Sequence, residues 1–254
     1  MIKFFRKIRQ KLLSENKFSK YLTYAIGEIV LVVIGILIAL SINNWNIEKQ
    51  ERKTEKNNLI ALQREFIQNK QILNEVIERN TLNIEAAKKM IESFKSGVSD
   101  TISEKTIAYN TYQTLGNEIN FTPNTGVLSE IMSSGNLRLI QNQELKHKLA
   151  AFGSWIGKIK QQEEEVLTNR QNNLNYIINY GNFKSLYNSL GIDMNWETTL
   201  DSVNNRALVN SIGQLNRIIL FQQSSYVTTR DYYLPLKEEI EKILELIGSE
   251  LDNE

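Results

Sequence analysis

A continuous apolar stretch near the N-terminus is the strongest pattern in the chain. Between Tyr21 and Trp45 the only charged residue is Glu28, and residues 29–40 read IVLVVIGILIAL, apolar at every position. A helix over residues 21–45 covers about 37 Å, more than the roughly 30 Å hydrocarbon core of a bilayer. The aromatic rings at its two ends suit the headgroup layer. The pattern therefore predicts one transmembrane helix.

Two other interpretations of this stretch stay open. A long apolar helix can be the buried core helix of a soluble protein, and a cleaved signal peptide also combines basic residues with an apolar run. Ala39-Leu40-Ser41 resembles a small-x-small cleavage site, but cleavage there implies an unusually long signal with Glu28 at the start of its apolar part. We therefore expect an uncleaved signal-anchor.

Beyond Trp45, a charged stretch leads into a heptad pattern of apolar residues. The eleven seam positions are Leu59, Leu62, Phe66, Asn69, Leu73, Val76, Asn80, Asn83, Ala87, Met90 and Phe94. Isoleucines at 77, 84 and 91 widen this stripe, which favours a helix packed in a bundle over a two-stranded coiled coil. The pattern predicts one helix that continues from the apolar stretch to about Phe94 and is closed by Gly97.

Local start and stop signals divide the rest of the chain into further helices. Thr101 and Glu104 form a capping-box pattern for a helix that ends near Gly116. A short helix is expected between Pro123 and Gly135.

A helix of roughly 35 residues is predicted to begin near Asn142. Its stripe consists of Leu145, Leu149, Phe152, Ile156, Ile159, Val166, Leu174 and Ile177. A break is expected over residues 180–191 and a further helix over residues 203–226. Pro235 is expected to begin the C-terminal helix, whose stripe is Leu236, Ile240, Ile243, Ile247 and Leu251.

These elements predict an all-α protein, with one transmembrane helix continuing into a long stalk helix and an extramembrane helical bundle. No alternating strand pattern of useful length occurs in the sequence. The expected domains are a basic amphipathic segment (1–20), the transmembrane helix (21–45) and an all-helical extramembrane domain (46–254). Within the last, the stalk helix covers about 46–95 and the bundle about 100–254.

Charge is uneven along the chain, although its formal net value is +1. Residues 1–20 carry seven Lys or Arg and one acid, so the remaining residues sum to −5. We expect this segment to contact anionic lipid headgroups, either as a short surface helix or as a disordered basic tail. The predicted membrane-surface residues are Lys3, Arg6, Lys7, Arg9 and Lys11. The large domain has no basic excess, which argues against nucleic acid as a partner.

The basic residues that flank the apolar stretch favour one orientation. Residues 6–20 carry six Lys or Arg, and residues 46–60 carry four. By the positive-inside rule the N-terminus is cytoplasmic. The C-terminal domain then lies outside a bacterial inner membrane, in the periplasm.

Glu28 and the small residues near it are the candidate site within the membrane helix. Three roles for Glu28 stay open: a polar contact with a partner helix, a carboxylate linked to protons or ions, or a side chain that snorkels to the headgroups. Gly27, Gly35 and Ala39 provide small surfaces, and Gly35 and Ala39 form a small-xxx-small pair suited to close helix approach.

Elsewhere the sequence offers no catalytic or metal-binding pattern. The lone His147 is expected to be a solvated surface residue, and the adjacent Glu163, Glu164 and Glu165 a solvated helix face rather than a metal cluster. The tyrosines at 226, 232 and 233, with Arg230, could line a pocket or simply pack. The chain has no cysteine, which excludes disulfides, thiolate metal sites and thiol nucleophiles. We expect no cofactor and no metal.

Two segments carry a resemblance to a known family. MIKFFRKIRQKLL followed by YAIGEIVLVVIGILIALSINNWN resembles the N-terminus of an uncharacterised family of small single-pass membrane proteins from Bacteroidota. The stretch SSGNLRLIQNQELKHKL is similar to a second segment of that family. The resemblance implies a membrane anchor; it carries over neither an activity nor a catalytic residue.

The sequence therefore favours a non-enzymatic, membrane-anchored helical interaction or scaffold module, which associates with itself or with another membrane protein. The alternative is a ligand-sensing or transport-accessory subunit, whose external bundle acts through Glu28 on a partner membrane protein. A polar-lined cavity in the bundle would favour the alternative, and a solid core with an exposed apolar stripe the first.

Overall fold

The computed structural model describes residues 18–95, 97–193 and 204–252, and within them every regular element is helical. The protein is therefore all-α, as predicted. The chain divides into two compact units, Met1–Lys56 and Asn57–Glu254. The five basic residues predicted to contact lipid headgroups lie outside the described residues.

Helix α1 spans Phe18–Glu92 and contributes residues to both units. Its 75 residues contain no proline, so each backbone N–H beyond the first turn can join the helical ladder. The helix ends two residues before the predicted Phe94. Gly97 follows with a φ of 80°, in the left-handed region that glycine adopts without strain.

The heptad stripe of α1 lies in the core of the second unit. Its apolar seam residues from Leu59 to Met90 are buried, and the Phe66 ring packs on Phe152 with 4.8 Å between ring centroids. Ile84 is buried, whereas Ile77 and Ile91 are only partly buried against the same core. The prediction of a broad stripe packed in a bundle is confirmed.

Polar side chains of α1 hold the loop over residues 117–125 and the first turn of the short helix Gly126–Ser133. The Asn69 amide donates to the Asn124 carbonyl and accepts from the Asn124 N–H, both at 2.7 Å. Glu65 accepts from the N–H groups of Val127 and Leu128 at 2.7 and 3.1 Å. Asn83 donates to the carbonyl of residue 117 at 3.1 Å. The asparagines at seam positions 69 and 83 therefore bind backbone groups of the neighbouring loop.

Helices α2 (Glu104–Leu115) and α3 (Gly126–Ser133) are short. The capping box predicted from Thr101 is wrong, because Ser103 caps α2 by accepting from the Thr106 N–H at 3.1 Å. The Glu104 carboxylate is instead bonded to the Asn205 N–H and side-chain amide. Gly135, with φ 73°, follows α3 as predicted and leads into a 3₁₀ turn, Asn136–Leu139.

Helix α4 spans Gln143–Tyr180 and is the longest element confined to the second unit. Asn142 begins it by accepting from the Leu145 N–H at 3.0 Å, which confirms the predicted start. The predicted break over residues 180–191 contains a further short helix, α5 (Phe183–Ser189). Asn182 caps α5 by accepting from the Ser185 N–H, a local start signal that the prediction of a break overlooked.

The C-terminal part differs from prediction in two ways. The helix expected over residues 203–226 is divided into α6 (Arg206–Val209) and α7 (Ile212–Val227), because Ser211 caps a new start. A π-helical turn, Thr228–Tyr233, then joins α7 to α8 (Leu234–Asp252) without a break. Pro235 therefore does not begin a separate helix. A proline ring crowds the carbonyl four residues earlier, which for Pro235 is that of Asp231. Asp231 lies in the π-helical turn, which is wider than an α-helical turn.

Candidate functional site

The apolar segment of α1 is the main exposed feature of the first unit. Sixteen large apolar side chains between Leu22 and Ile47 are exposed. They include every residue of the run 29–34, so they face all directions around the helix. By length and composition this is the one helix in the described residues that could cross a membrane.

Three of the four candidate residues of this segment, Glu28, Gly35 and Ala39, share a surface. A Cβ added at Gly27 or Gly35 would meet nothing within 4 Å, and Ala39 is exposed, so the small residues are open to a neighbouring molecule. Glu28 is half-buried. At 3.6 residues per turn, Glu28, Gly35 and Ala39 fall within about 40° of one another around the helix, whereas Gly27 lies about 80° from Gly35. The carboxylate therefore projects from the same face as the small-xxx-small pair.

His147 is exposed, as predicted, but Glu163 is not part of a solvated face. Glu164 and Glu165 are exposed, whereas Glu163 is only 7% exposed. Adjacent residues of a helix point in different directions, and Glu163 points into the core. The signal was in the sequence, because Glu163 lies four residues after Ile159 and three before Val166 in the apolar stripe.

The Glu163 carboxylate joins three elements of the second unit. Its Oε1 accepts from the Phe121 N–H at 2.7 Å, in the loop after α2, and from the Tyr233 hydroxyl at 2.5 Å, in the π-helical turn. Burial raises the pKa of Glu163, and these two bonds and the charge of Lys160 lower it by less. Burial, followed by the Glu163 charge, also raises the pKa of Tyr233. The group is a buried structural contact between α4, a loop and the turn.

The three tyrosines predicted to line a pocket or to pack are separated, and Tyr232 lines an open cleft with Trp155 and Asp231. Tyr233 is fully buried beside Glu163, while Tyr226 is exposed and carries the Arg230 guanidinium over its ring, 5.3 Å from the centroid. Arg230 forms an ion pair with Asp231. Within residues 18–95, 97–193 and 204–252, no group of three or more Asp, Glu or His could hold a metal ion.

A cavity of about 270 Å³ lies between α2, α4 and α5 in the second unit. Most of its lining is apolar, with leucines from all three helices and aromatic rings from α2 and α5. Its polar groups include Thr111 of α2 and Arg170 of α4. The Nε of Arg170 donates to the Leu115 carbonyl at 2.8 Å, which holds the guanidinium at the C-terminal end of α2. Sequence reasoning missed this site, because residues 108–116 and 170–190 meet only in the folded chain.

Residues 28–212 match the model of a family described as a family of unknown function (DUF6090). The chain belongs to this family. The DUF6090 match begins at Glu28 and includes Gly35, Ala39 and Arg170, whereas Tyr233 lies beyond it. No curated protein and no solved structure matches the chain.

Proposed function

We propose that this DUF6090 protein is a non-enzymatic, membrane-anchored helical interaction module that self-associates through its apolar segment. The observation that carries the proposal is the exposure of sixteen large apolar side chains around the whole circumference of α1 between Leu22 and Ile47. A single protein partner covers one face of a helix, whereas lipid surrounds it.

The size of this surface supports lipid as its environment. Full burial of a Val, Leu or Ile side chain contributes about 1.5–3 kcal/mol. The sixteen side chains are about half exposed, so each would gain about half of this free energy on full burial. The sum over the sixteen is roughly 12–24 kcal/mol. This is comparable to or larger than the 5–15 kcal/mol that typically separates a folded domain from its unfolded state. Contact with water is therefore too costly for the segment to remain in solution.

The face that carries Glu28, Gly35 and Ala39 is the proposed contact between copies. Small residues allow two helix backbones to approach closely, and a polar side chain between them can bond across the interface. We assign Glu28 this role in preference to proton transfer or snorkelling, because it shares a face with the small-xxx-small pair.

The remaining parts of the proposal concern location. The basic residues before the segment contact anionic headgroups, the N-terminus is cytoplasmic, and the C-terminal domain is periplasmic in a bacterial inner membrane. The uneven flanking charge supports this orientation. An origin in Bacteroidota, with the N-terminal motif typical of that group, rests on the resemblance of the sequence.

Cysteine scanning tests the proposed contact. Because the natural chain has no cysteine, single cysteines at residues 30–40 can be oxidised in native membranes without background. Cross-linked dimer should peak at residues 35 and 39 with a helical period. A flat profile, or no cross-linking at any position, would show that this face is not a contact between copies.

Matched substitutions separate the role of the small face from the hydrophobicity of the segment. Gly35→Leu should weaken association, whereas Val33→Leu, about 200° around the helix, should not. Glu28→Gln should preserve association because the amide still bonds, and Glu28→Leu should weaken it. Equal association of Glu28→Leu and the parent chain would contradict the contact role. If both Glu28 variants associate normally but fail to complement a deletion strain in vivo, the result would favour a carboxylate linked to protons or ions.

A second candidate function is suggested by the polar groups of Thr111 and Arg170 in the otherwise mostly apolar cavity of the second unit. In this alternative the chain is a ligand-sensing or transport-accessory subunit, and ligand binding in the bundle changes how Glu28 contacts a partner membrane protein. Affinity purification from native membranes, with the co-purified proteins identified, tests it. Recovery of a transporter or signalling protein with the parent chain but not with Glu28→Leu would support it, and recovery of this chain alone would not.

A further inference from the structure

We propose that the cavity between α2, α4 and α5 binds a small carboxylate with an apolar body. All of the residues involved belong to the second unit, so the inference goes beyond the proposed membrane association and does not depend on it.

The cavity walls set the size and the body of the ligand. Ligand sites of proteins are mostly apolar and measure roughly 300–1,000 Å³. At about 270 Å³ this cavity lies just below that range, and its leucines, such as Leu174, Leu186 and Leu190, offer an apolar surface. A short aliphatic chain packs against these leucines, whereas polar groups placed there would lose their bonds to water.

Arg170 supplies the charge that selects the head group. Its Nε is used by the Leu115 carbonyl, and in the part of the chain that the structure describes no carboxylate pairs with it. The guanidinium is a rigid planar fork, so fixing Nε also fixes the direction of its two terminal nitrogens. A carboxylate matches such a pair of donors in bidentate geometry. A phosphate dianion would need more positive charge than this single arginine provides.

Thr111 supplies a second, independent polar group. A helical threonine often donates to the carbonyl four residues earlier, as Thr114 does to the Asn110 carbonyl at 2.7 Å. The Thr111 hydroxyl has no partner among the described residues, although the side chain is only 6% exposed. Threonine populates two χ1 rotamers in a helix, so this hydroxyl can turn towards a ligand oxygen in the cavity that Thr111 lines.

The probe for this site is octanoate, titrated calorimetrically into the full chain in lipid nanodiscs. The heats with empty nanodiscs are subtracted, because octanoate also partitions into lipid. 1-Octanol and octylammonium are the neutral and cationic controls of equal chain length. Octanoate should bind about tenfold or more tighter than 1-octanol, as expected for hydrogen bonds between charged partners, and octylammonium should bind most weakly.

Two pairs of matched variants assign the selectivity to the two polar residues. Arg170→Gln should abolish the preference for octanoate over 1-octanol. Arg217→Gln should keep it, since Arg217 also donates to a backbone carbonyl, that of Gly213 at 2.7 Å, but lies outside this cavity. Thr111→Val should weaken octanoate binding about two- to tenfold, whereas Thr114→Val should leave it unchanged.

Binding of 1-octanol also reports whether each variant is folded. Arg170→Gln with 1-octanol binding intact and the preference lost would support the proposal. If Arg170→Gln loses all binding, the same assay on Thr111→Val and Thr114→Val tests the proposal, which requires weaker octanoate binding in Thr111→Val alone. Three results would overturn the proposal. The first is an octanoate heat equal to that of empty nanodiscs, and the second is an equal affinity for octanoate and 1-octanol. The third is an equal effect of the two substitutions within each matched pair.

Discussion

Glu163→Ala tests whether one buried carboxylate stabilises the contact between α4, the loop after α2 and the π-helical turn. The change leaves the Tyr233 hydroxyl and the Phe121 N–H buried without their acceptor. Each unsatisfied donor costs about 1–3 kcal/mol, which gives about 2–6 kcal/mol for the two. Relief of the desolvated charge offsets part of this, so we expect a net loss of about 2–4 kcal/mol. For a domain of this size, that lowers Tm by about 4–16 °C.

Thermal unfolding of the full chain in nanodiscs, followed by far-ultraviolet circular dichroism, measures this loss. Glu164→Ala is the matched control, because it removes a neighbouring, exposed carboxylate from the same helix. Its effect should stay within about 0.5 kcal/mol. Equal Tm values for the two variants would refute the reasoning, and so would a Glu163→Ala variant as stable as the parent.

The same structure predicts three further results. Because burial raises the pKa of Glu163 above its ordinary 4.5, the folded state retains a proton that the unfolded state has lost. The stability of the parent relative to Glu163→Gln should therefore fall as pH rises above 4.5 and level off above the folded-state pKa; a constant difference in Tm would contradict this. Phe66→Asp buries an unpaired charge and should abolish the cooperative melting of the bundle. Ile67→Asp, at a position that is 53% exposed, should not. Equal melting curves for the two variants would place this stripe outside the core. A reporter that is active only outside the cytoplasm, fused after Glu254, should be active, and an active cytoplasmic reporter there would reverse the proposed orientation.

The long helices α1 and α4 were predictable because their signals are local. Asn142 begins α4 through the N–H three residues later, and the apolar period of α1 continues over seam residues that the fold buries. Such signals depend on neighbours one or two turns away, which a sequence displays directly. The apolar segment and Glu28 were visible for the same reason, since a long uncharged run needs no tertiary information.

The polar contacts were not predictable because their partners are distant in sequence. Thr125 forms no side-chain cap for α3. The first N–H groups of α3 are instead accepted by Glu65, which lies about sixty residues earlier. Glu104 fits a capping-box spacing, yet its carboxylate bonds to Asn205, 101 residues away. Arg170 lines the cavity only because α2, α4 and α5 meet. Composition and periodicity do not specify which residues meet in this way.

The hydrogen-bonding side chains of α1 also determine its axial register in the second unit. A purely apolar heptad stripe looks nearly the same after a slide of seven residues, about 10 Å along the helix. Such a slide would remove the Asn69 amide from Asn124, the Asn80 amide from the Ser225 carbonyl 2.8 Å away, and Glu65 from two N–H groups. At about 1–3 kcal/mol for each buried group left unsatisfied, these losses approach the stability of a whole domain. Within the bundle, α1 therefore cannot act as a sliding rod: any displacement of the helix moves the loop before α3 with it.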